Sequence, residues 1–192
     1  MCYRTRRRNR LQNKIIFTCE YQRKYKNWKK NEIFPFVSIG TPPQDLKYKG
    51  EKNTIIIGDN NKLREYVNIN PGTAQGGTIT KLGNNNLLMV YCHVAHDCKL
   101  GDNIVLANNV QVGGHVTIDD YAIVGGSCAI HRFSRIGQLA MVGGMTGVLS
   151  DVIPFGLSMG NRNNLTGLNL IGLRRSKVCL LYTSPSPRDA TL

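Results

Sequence analysis

The fold of this chain is decided between Leu82 and Val148, where the sequence reads LGNNNLLMVYCHVAHDCKLGDNIVLANNVQVGGHVTIDDYAIVGGSCAIHRFSRIGQLAMVGGMTGV. Stepping by six residues from Leu82 reaches Leu, Ile or Val twelve times in succession. The residue after this aliphatic position is glycine in six of the twelve repeats. The side chain four places after it is small or branched, with Asn86 as the polar exception. This period fits neither the 3.6-residue turn of an α-helix nor the two-residue alternation of a simple strand.

A six-residue period predicts an all-β fold, the left-handed parallel β-helix of hexapeptide repeats. Each hexad forms one flat side of a prism, and three hexads complete one coil, so that Leu100 lies above Leu82. The aliphatic residue fills the interior, and we expect the glycine to permit the corner. The coils stack at the usual strand spacing of ~4.8 Å. An earlier stretch keeps the same step at Ile57, Leu63 and Ile69.

Interruptions of the period divide the chain into a repeat domain and two ends. We expect the β-helix to cover residues 31–175, with loops that leave the coil over residues 41–54 and 71–80, where turn-forming residues concentrate. Residues 1–30 hold 11 Lys or Arg and one acid, which accounts for +10 of the net charge of +13. We predict a disordered or non-native basic leader there, with a nucleic-acid-binding arm as the alternative, and an unstructured, non-native tail over residues 176–192.

The cysteines point to a reducing compartment. They stand at positions 2, 19, 92, 98, 128 and 179 and form no CxxC pair, which excludes zinc-ribbon and thioredoxin-like motifs. Cys92, Cys98 and Cys128 fall on the small inward position of the repeat, so we expect buried, reduced thiols in a cytosolic protein. No apolar run approaches the ~20 residues that span a bilayer, and we expect no membrane insertion.

The length of one coil also shows which side chains lie above one another. His96 has Gly114 one coil above it, and Asp97 lies under His115. A histidine can accept a proton from a hydroxyl at neutral pH, and an adjacent carboxylate can fix its tautomer. A glycine amide can donate a hydrogen bond to a developing oxyanion. His96, Asp97 and Gly114 therefore predict direct transfer by general-base catalysis, without a covalent intermediate.

Zinc binding is the competing use of the four histidines. Hexapeptide β-helices of the gamma-class carbonic anhydrases hold zinc between subunits, and the wide spacing between His96 and His131 is compatible with such a site. The third ligand would fall at Ile136, which cannot bind a metal. We therefore expect no metal.

Several stretches of the chain resemble the acyl-carrier-protein–UDP-N-acetylglucosamine O-acyltransferase family of lipid A biosynthesis. The resemblance runs from about Asn31 to Arg175, and its specific part is the His-x-x-His-Asp-Cys segment at residues 93–98 next to Leu-Ala-Asn-Asn at residues 106–109. Further matches are Gln44–Tyr48 and Gly114–Val116. The family has more coils before residue 31 and a helical domain after Arg175, so the resemblance implies a chain truncated at both ends.

The resemblance implies a homotrimer of the bacterial cytoplasm with active sites between subunits. It would move a 3-hydroxyacyl group from the phosphopantetheine of acyl carrier protein to the 3-hydroxyl of UDP-N-acetylglucosamine, the first step of lipid A biosynthesis, with no separate cofactor. By resemblance His96 is the general base, Asp97 its orienting partner and Gly114 the oxyanion donor. The implied substrate-binding residues are Asp45, Lys47, His93, His115, His131, Arg132, Gly144, Asn169 and Arg175. Among them, Gly144 matches the position that limits acyl length.

Two other functions stay open on the sequence. One is the related N-acyltransferase of the same pathway, which usually carries an N-terminal uridine-binding domain that residues 1–30 cannot form. The other is an inactive structural β-helix fragment, which the missing end coils would favour because they leave sheet edges open.

Overall fold

The structure is a computed structural model that describes residues 29–176 and, before them, the strands Lys14–Ile15 and Glu20–Tyr21. Within the predicted leader, these two strands extend sheets A and B by one strand each, because they pair in parallel with Glu32–Ile33 and Ser38–Ile39. Residues 1–13, 16–19 and 22–28 of the leader lie outside the described residues, as does the predicted tail from residue 177 onward.

The predicted left-handed parallel β-helix is confirmed. In the described part of the chain, the strands form three sheets of nine, seven and five strands, one for each side of the prism. Sheet A contains Lys14–Ile15, Glu32–Ile33, Lys62–Leu63, Leu87–Leu88, Val105–Leu106, Ile123–Val124, Met141–Val142, Gly156–Met159 and Asn164–Leu168. Sheet B contains Glu20–Tyr21, Ser38–Ile39, Asn68–Ile69, His93–Val94, Gln111–Val112, Ala129–Ile130 and Gly147–Val148. Sheet C contains Thr54–Ile57, Ile79–Leu82, Lys99–Leu100, Thr117–Ile118 and Arg135–Ile136.

The strand register shows where the loops are inserted. Strands whose residues lie between Leu82 and Val148 pair at the regular step of one coil, as in Lys99 with Thr117. The step is longer where Ile57 pairs with Leu82, and longer again where Ile39 pairs with Ile69. Both insertions lie between sheets B and C, one over residues 40–53 and one over residues 70–78. The second contains the 3-10 helix Ala74–Gly76.

The interior of the prism is filled by the aliphatic column that the period predicts. Leu63, Leu88, Leu106, Val124 and Val142 follow one another along sheet A, and each is fully buried. Interior side chains are packed at near-crystalline density, so each coil is stabilised mainly by contact with its neighbours.

The three inward cysteines are buried and free, as predicted. Each thiol donates a hydrogen bond to a carbonyl of the next coil, as Cys98 does to Gly113 at 3.0 Å. Burial raises the pKa of Cys92 to about 11 and that of Cys98 to about 12, so both stay protonated at neutral pH. Neither thiol can therefore serve as a nucleophile.

The corner glycines are needed for a different reason from the one expected. None of the six that follow the aliphatic position has a positive φ. The left-handed conformation falls two residues later instead, as at Asn103 with φ 58° and His115 with φ 62°. A Cβ atom on Gly101 would overlap the carboxylate of Asp120 in the next coil. Glycine is therefore required here by the close approach of the next coil rather than by its own backbone angles.

The polar exception Asn86 belongs to a buried asparagine column. Asn31, Asn61 and Asn86 lie above one another in successive coils, and all three are buried. The Oδ1 atom of Asn61 accepts from the Asn86 amide at 2.8 Å, and the Oδ1 atom of Asn86 accepts from the Ile104 amide at 2.7 Å. The Nδ2 atom of Asn86 donates to the Gly101 carbonyl at 3.0 Å. These side chains satisfy backbone groups at the corner between sheets C and A.

After the last complete coil, the chain forms an antiparallel pair and a short α-helix. Gly156–Met159 pairs with Asn164–Leu168, and the helix runs over Leu170–Arg175. Among the helices of the described residues, none has the length and hydrophobicity that crossing a bilayer requires.

Candidate active site

The corner between sheets B and C collects most of the predicted site residues. His96 and Asp97 lie at this corner in one coil, Gly114 and His115 in the next, and His131 with Arg132 in the one after. Both loops also leave the coil here, in the two coils that precede His96. The B–C corner is therefore the place where polar side chains from five successive coils converge.

His96 and Asp97 form a hydrogen-bonded pair. The Nδ1 atom of His96 lies 2.8 Å from Oδ2 of Asp97. Because an ionised carboxylate can only accept, Nδ1 carries the proton and Nε2 is left with a free lone pair. The His96 side chain is 15% exposed and that of Asp97 is 0% exposed. The basic Nε2 atom therefore lies on the partly exposed side of the pair, and the carboxylate that supports it is out of reach of solvent.

Gly114 lies against the basic edge of His96. A Cβ atom at Gly114 would be 2.7 Å from both Cε1 and Nε2 of the imidazole, which is too close for any side chain. In the described residues, the Gly114 amide donates no hydrogen bond, whereas its carbonyl accepts from Phe133 at 3.0 Å. A free amide next to Nε2 can stabilise an oxyanion that forms at a carbonyl attacked there.

His115 is held beside this pair by aromatic contacts. Its ring stacks on Phe133 with centroids 4.5 Å apart, and it meets the His96 ring edge to face at 5.1 Å. Its Nε2 atom lies 3.9 Å from Oδ2 of Asp97. His115 is therefore a second possible partner for the same carboxylate oxygen.

His93 faces outward on sheet B, next to the corner. Its Nδ1 atom lies 2.8 Å from Oδ1 of Asn68 in the preceding coil, so Nδ1 is the donor and Nε2 the free acceptor. Burial, and to a lesser degree the neighbouring His96, lowers the pKa of His93. His93 is thus held neutral and can accept a hydrogen bond from a ligand hydroxyl.

His131 and Arg132 lie one coil beyond Gly114 and are exposed. The Nδ1 atom of His131 is 3.1 Å from the carbonyl of Arg132, which orients the ring. Arg132 supplies a positive charge at the rim of the corner, where anionic groups of a ligand can bind.

Asp45 and Lys47 lie at the tip of the first loop. Oδ1 of Asp45 accepts from the Lys47 amide at 3.0 Å, which closes a turn typical of aspartate. The two loops are joined by Glu51, whose carboxylate accepts from the amides of Lys49 at 2.8 Å and Ala74 at 3.1 Å. These backbone donors lower the pKa of Glu51.

Three predicted site residues lie at other corners. Gly144 is at the corner between sheets A and B, Asn169 lies near the corner between sheets C and A, and Arg175 ends the helix that follows Asn169. The side chain of Asn169 is buried; it donates to the Leu139 carbonyl at 2.8 Å and accepts from the Gly172 amide at 3.0 Å as the cap of the helix. A single chain therefore does not bring these residues to the B–C corner.

Sequence reasoning missed two threonines that hold Asp97. The amide and hydroxyl of Thr73 both donate to its carboxylate, and the hydroxyl of Thr80 accepts from its backbone amide at 2.8 Å. The sequence feature that could have indicated this contact is the cluster of Gly72, Gly76 and Gly77 in the second loop. Such a cluster predicts close approach of the backbone to another part of the chain as well as a turn.

Comparison with known proteins places this arrangement in a family. The family model for bacterial transferase hexapeptide repeats matches residues 79–114. The chain is 56% identical over 147 residues to the acyl-[acyl-carrier-protein]–UDP-N-acetylglucosamine O-acyltransferase of Aliarcobacter butzleri, covering 77% of this chain and 56% of the relative. It is 52% identical over 143 residues to the protein of the same name from Paracoccus denitrificans, with coverages of 74% and 55%. The chain thus spans little more than half the length of these relatives.

Solved structures agree with this assignment. The UDP-N-acetylglucosamine acyltransferase of Bacteroides fragilis superimposes with a TM-score of 0.82 at 36% identity, over 93% of this chain and 74% of that one. The corresponding protein from Campylobacter jejuni gives a TM-score of 0.79 at 39% identity, over 85% and 66%.

The stacked hexads are those of the hexapeptide-repeat transferases. Within that class, the identities above are specific: the chain belongs to the acyl-carrier-protein–UDP-N-acetylglucosamine O-acyltransferase family.

Proposed function

We propose that this chain carries the acyl-transfer site of an enzyme that moves a 3-hydroxyacyl group from acyl carrier protein to the 3-hydroxyl of UDP-N-acetylglucosamine. The observation that carries the proposal is the geometry of His96, with Nδ1 bound to Asp97 and Nε2 free against Gly114. The names of the relatives supply the donor and the acceptor.

The mechanism follows from that geometry. Nε2 of His96 takes the proton of the sugar hydroxyl as its oxygen attacks the thioester carbonyl carbon. The negative charge that develops on the carbonyl oxygen accepts a hydrogen bond from the Gly114 amide. The C–S bond then breaks, and His96 returns the proton to the departing thiolate of phosphopantetheine. Asp97 stabilises the imidazolium between these two steps.

The position of the remaining site residues supports a homotrimer. Each of the three corners carries part of the predicted site, so corners of different copies must meet to complete it. Sheet A offers the surface for such contact, because five successive strands present an apolar residue outward, whereas sheet C presents Lys81, Lys99 and Arg135 among its outward residues. These half-buried sheet A residues are Leu87, Val105, Ile123, Met141 and Leu157. Apolar surface of this kind is typical of contacts between identical subunits.

We also propose a cytoplasmic location. Cys92, Cys98 and Cys128 are free thiols in the interior of the fold, which suits a reducing compartment.

The experiment is a transfer assay with UDP-N-acetylglucosamine and 3-hydroxyacyl carrier protein, run beside a measurement of the mass of the oligomer. Ester formation at the 3-hydroxyl by a trimer supports the proposal. A folded trimer without transfer would favour the alternative of an inactive structural β-helix fragment. Transfer only to an amino sugar would favour the related N-acyltransferase of the same pathway.

We expect transfer to need no metal ion. The ligand atoms of His96, Asp97 and His115 lie within 4.8 Å of one another, which is close enough for a cation. However, the Asp97 oxygens already accept from Thr73 and His96, and Ile136 points into the core where a third histidine would be needed. Incubation with a chelator should therefore leave the rate unchanged. Stoichiometric zinc in the purified protein, or activity lost on chelation and restored by zinc, would contradict this.

Gly144→Met is expected to shift donor preference toward shorter 3-hydroxyacyl chains. A Cβ atom at Gly144 would meet only the Gly126 carbonyl at 3.4 Å and its amide at 3.8 Å, which are ordinary contact distances, so a side chain can start here without a clash at Cβ. By resemblance, the acyl tail passes this position, and a groove shorter by four carbons loses roughly 3 kcal/mol of binding for long donors. Gly144→Ala adds one methyl group and should shift preference less. Competition between mixed donors measures the ratio, and an unchanged ratio in the folded Met variant would place the length limit elsewhere.

A further inference from the structure

The carboxylate of Asp97 is held mainly by a residue that is distant in the sequence. The amide of Thr73 donates to both carboxylate oxygens, at 2.9 and 3.0 Å, and its hydroxyl donates to Oδ2 at 2.7 Å. His96 is the third donor, also to Oδ2. Two of the three groups that bind this enclosed carboxylate therefore belong to Thr73, which lies in the second loop.

The second loop is shaped for this contact. Cβ atoms on Gly72 or Gly76 would overlap the Asp97 carboxylate, so the bare backbone of the loop packs directly against it. The Thr73 carbonyl closes the loop by accepting from the amides of Gly76 at 3.1 Å and Thr78 at 2.8 Å. Thr73 precedes the 3-10 helix Ala74–Gly76, yet its hydroxyl does not cap that helix. It donates to Asp97 instead.

Two histidines lie near the same oxygen of the Asp97 carboxylate. Oδ2 of Asp97 is 2.8 Å from Nδ1 of His96 and 3.9 Å from Nε2 of His115. Without the hydroxyl, only the Thr73 amide and His96 hold Oδ2, and the carboxylate can turn toward His115. His96 would then lose the acceptor that keeps its proton on Nδ1 and its lone pair on Nε2.

We propose that Thr73 is a positioning residue that fixes Oδ2 of Asp97 on His96 and so keeps His96 in the tautomer required for proton transfer. This rests on the proposed function for its effect on the rate, but not for its effect on the tautomer.

The test compares Thr73→Val with Thr73→Ser in the full chain. Valine matches threonine in shape but cannot donate, whereas serine keeps the hydroxyl. We expect Thr73→Val to lower kcat roughly 10- to 100-fold, the usual effect of losing one hydrogen bond to a charged group. The KM for UDP-N-acetylglucosamine should stay within about twofold because Thr73 does not face the cleft. Thr73→Ser should retain most of the wild-type kcat. Thr117→Val on sheet C is the matched control, because it removes a threonine hydroxyl that does not contact Asp97.

A second measurement separates this proposal from the proposed function. The ¹H–¹⁵N spectrum of the histidine side chains reports which nitrogen of His96 carries the proton, with His96→Gln identifying the signal. In wild type and Thr73→Ser we expect the Nδ1–H form, and in Thr73→Val a mixture of tautomers. This result supports the proposal even if no transfer is detected. An unchanged His96 spectrum in Thr73→Val, or equal loss of kcat in the Val and Ser variants, would overturn it. If Thr73→Val is misfolded by circular dichroism, Thr73→Ala is judged by the same criteria.

Discussion

His96→Ala is expected to lower kcat/KM for acyl transfer by roughly 10²–10⁴-fold, the range associated with losing a general base. Nε2 of His96 is the free nitrogen against Gly114, and His93 and His115 are each held by other contacts and cannot replace it. The circular dichroism spectrum should match that of the wild type, because the His96 side chain lies outside the interior column.

Lys99→Ala is the control for His96→Ala. Lys99 is exposed on sheet C, three residues after His96, and it contacts neither the pair nor Gly114. The kcat/KM of the Lys99→Ala enzyme for acyl transfer should stay within about twofold of the wild type, since substitutions of exposed residues rarely affect a remote site. A His96→Ala enzyme that retains a rate within a few-fold of wild type would mean that another group accepts the proton.

Asn86→Leu is expected to destabilise the β-helix by roughly 2–6 kcal/mol. The substitution leaves the Gly101 carbonyl and the Ile104 amide without their buried partner, and each such group costs about 1–3 kcal/mol. Leucine brings an apolar side chain into the column, but it cannot bond to either group. Denaturant unfolding followed by circular dichroism should show a lower midpoint with the same slope.

Asn164→Leu is the matched substitution on the surface. Asn164 is exposed at the start of the strand Asn164–Leu168, and its replacement should change the free energy of unfolding by less than about 0.5 kcal/mol. Equal midpoints for Asn86→Leu and wild type would show that the corner satisfies its backbone groups without the asparagine column.

The sequence places His96, Asp97 and Gly114 together because the fixed length of a coil converts positions in the chain into neighbours in space. The same arithmetic predicts that His115 lies above Asp97, and the structure has these side chains 3.9 Å apart. It could not predict the contact of Thr73 with Asp97, which are separated by 24 residues. That separation is not a whole number of coils, because the second loop interrupts the period.

The sequence by itself determined the coil, the interior column and the buried thiols. Each hexad repeats the same local environment and packs against the same positions of the next coil, so one six-residue pattern specifies them all. Only the tertiary structure decided that both loops leave at the B–C corner and that Thr73 encloses the Asp97 carboxylate. It also decided that Asn169, which follows the last complete coil, lies near the corner between sheets C and A and caps the helix there. The physical reason is that a repeat fixes contacts along the stack, whereas an inserted loop finds its partners through hydrogen bonds and close packing that no sequence period encodes.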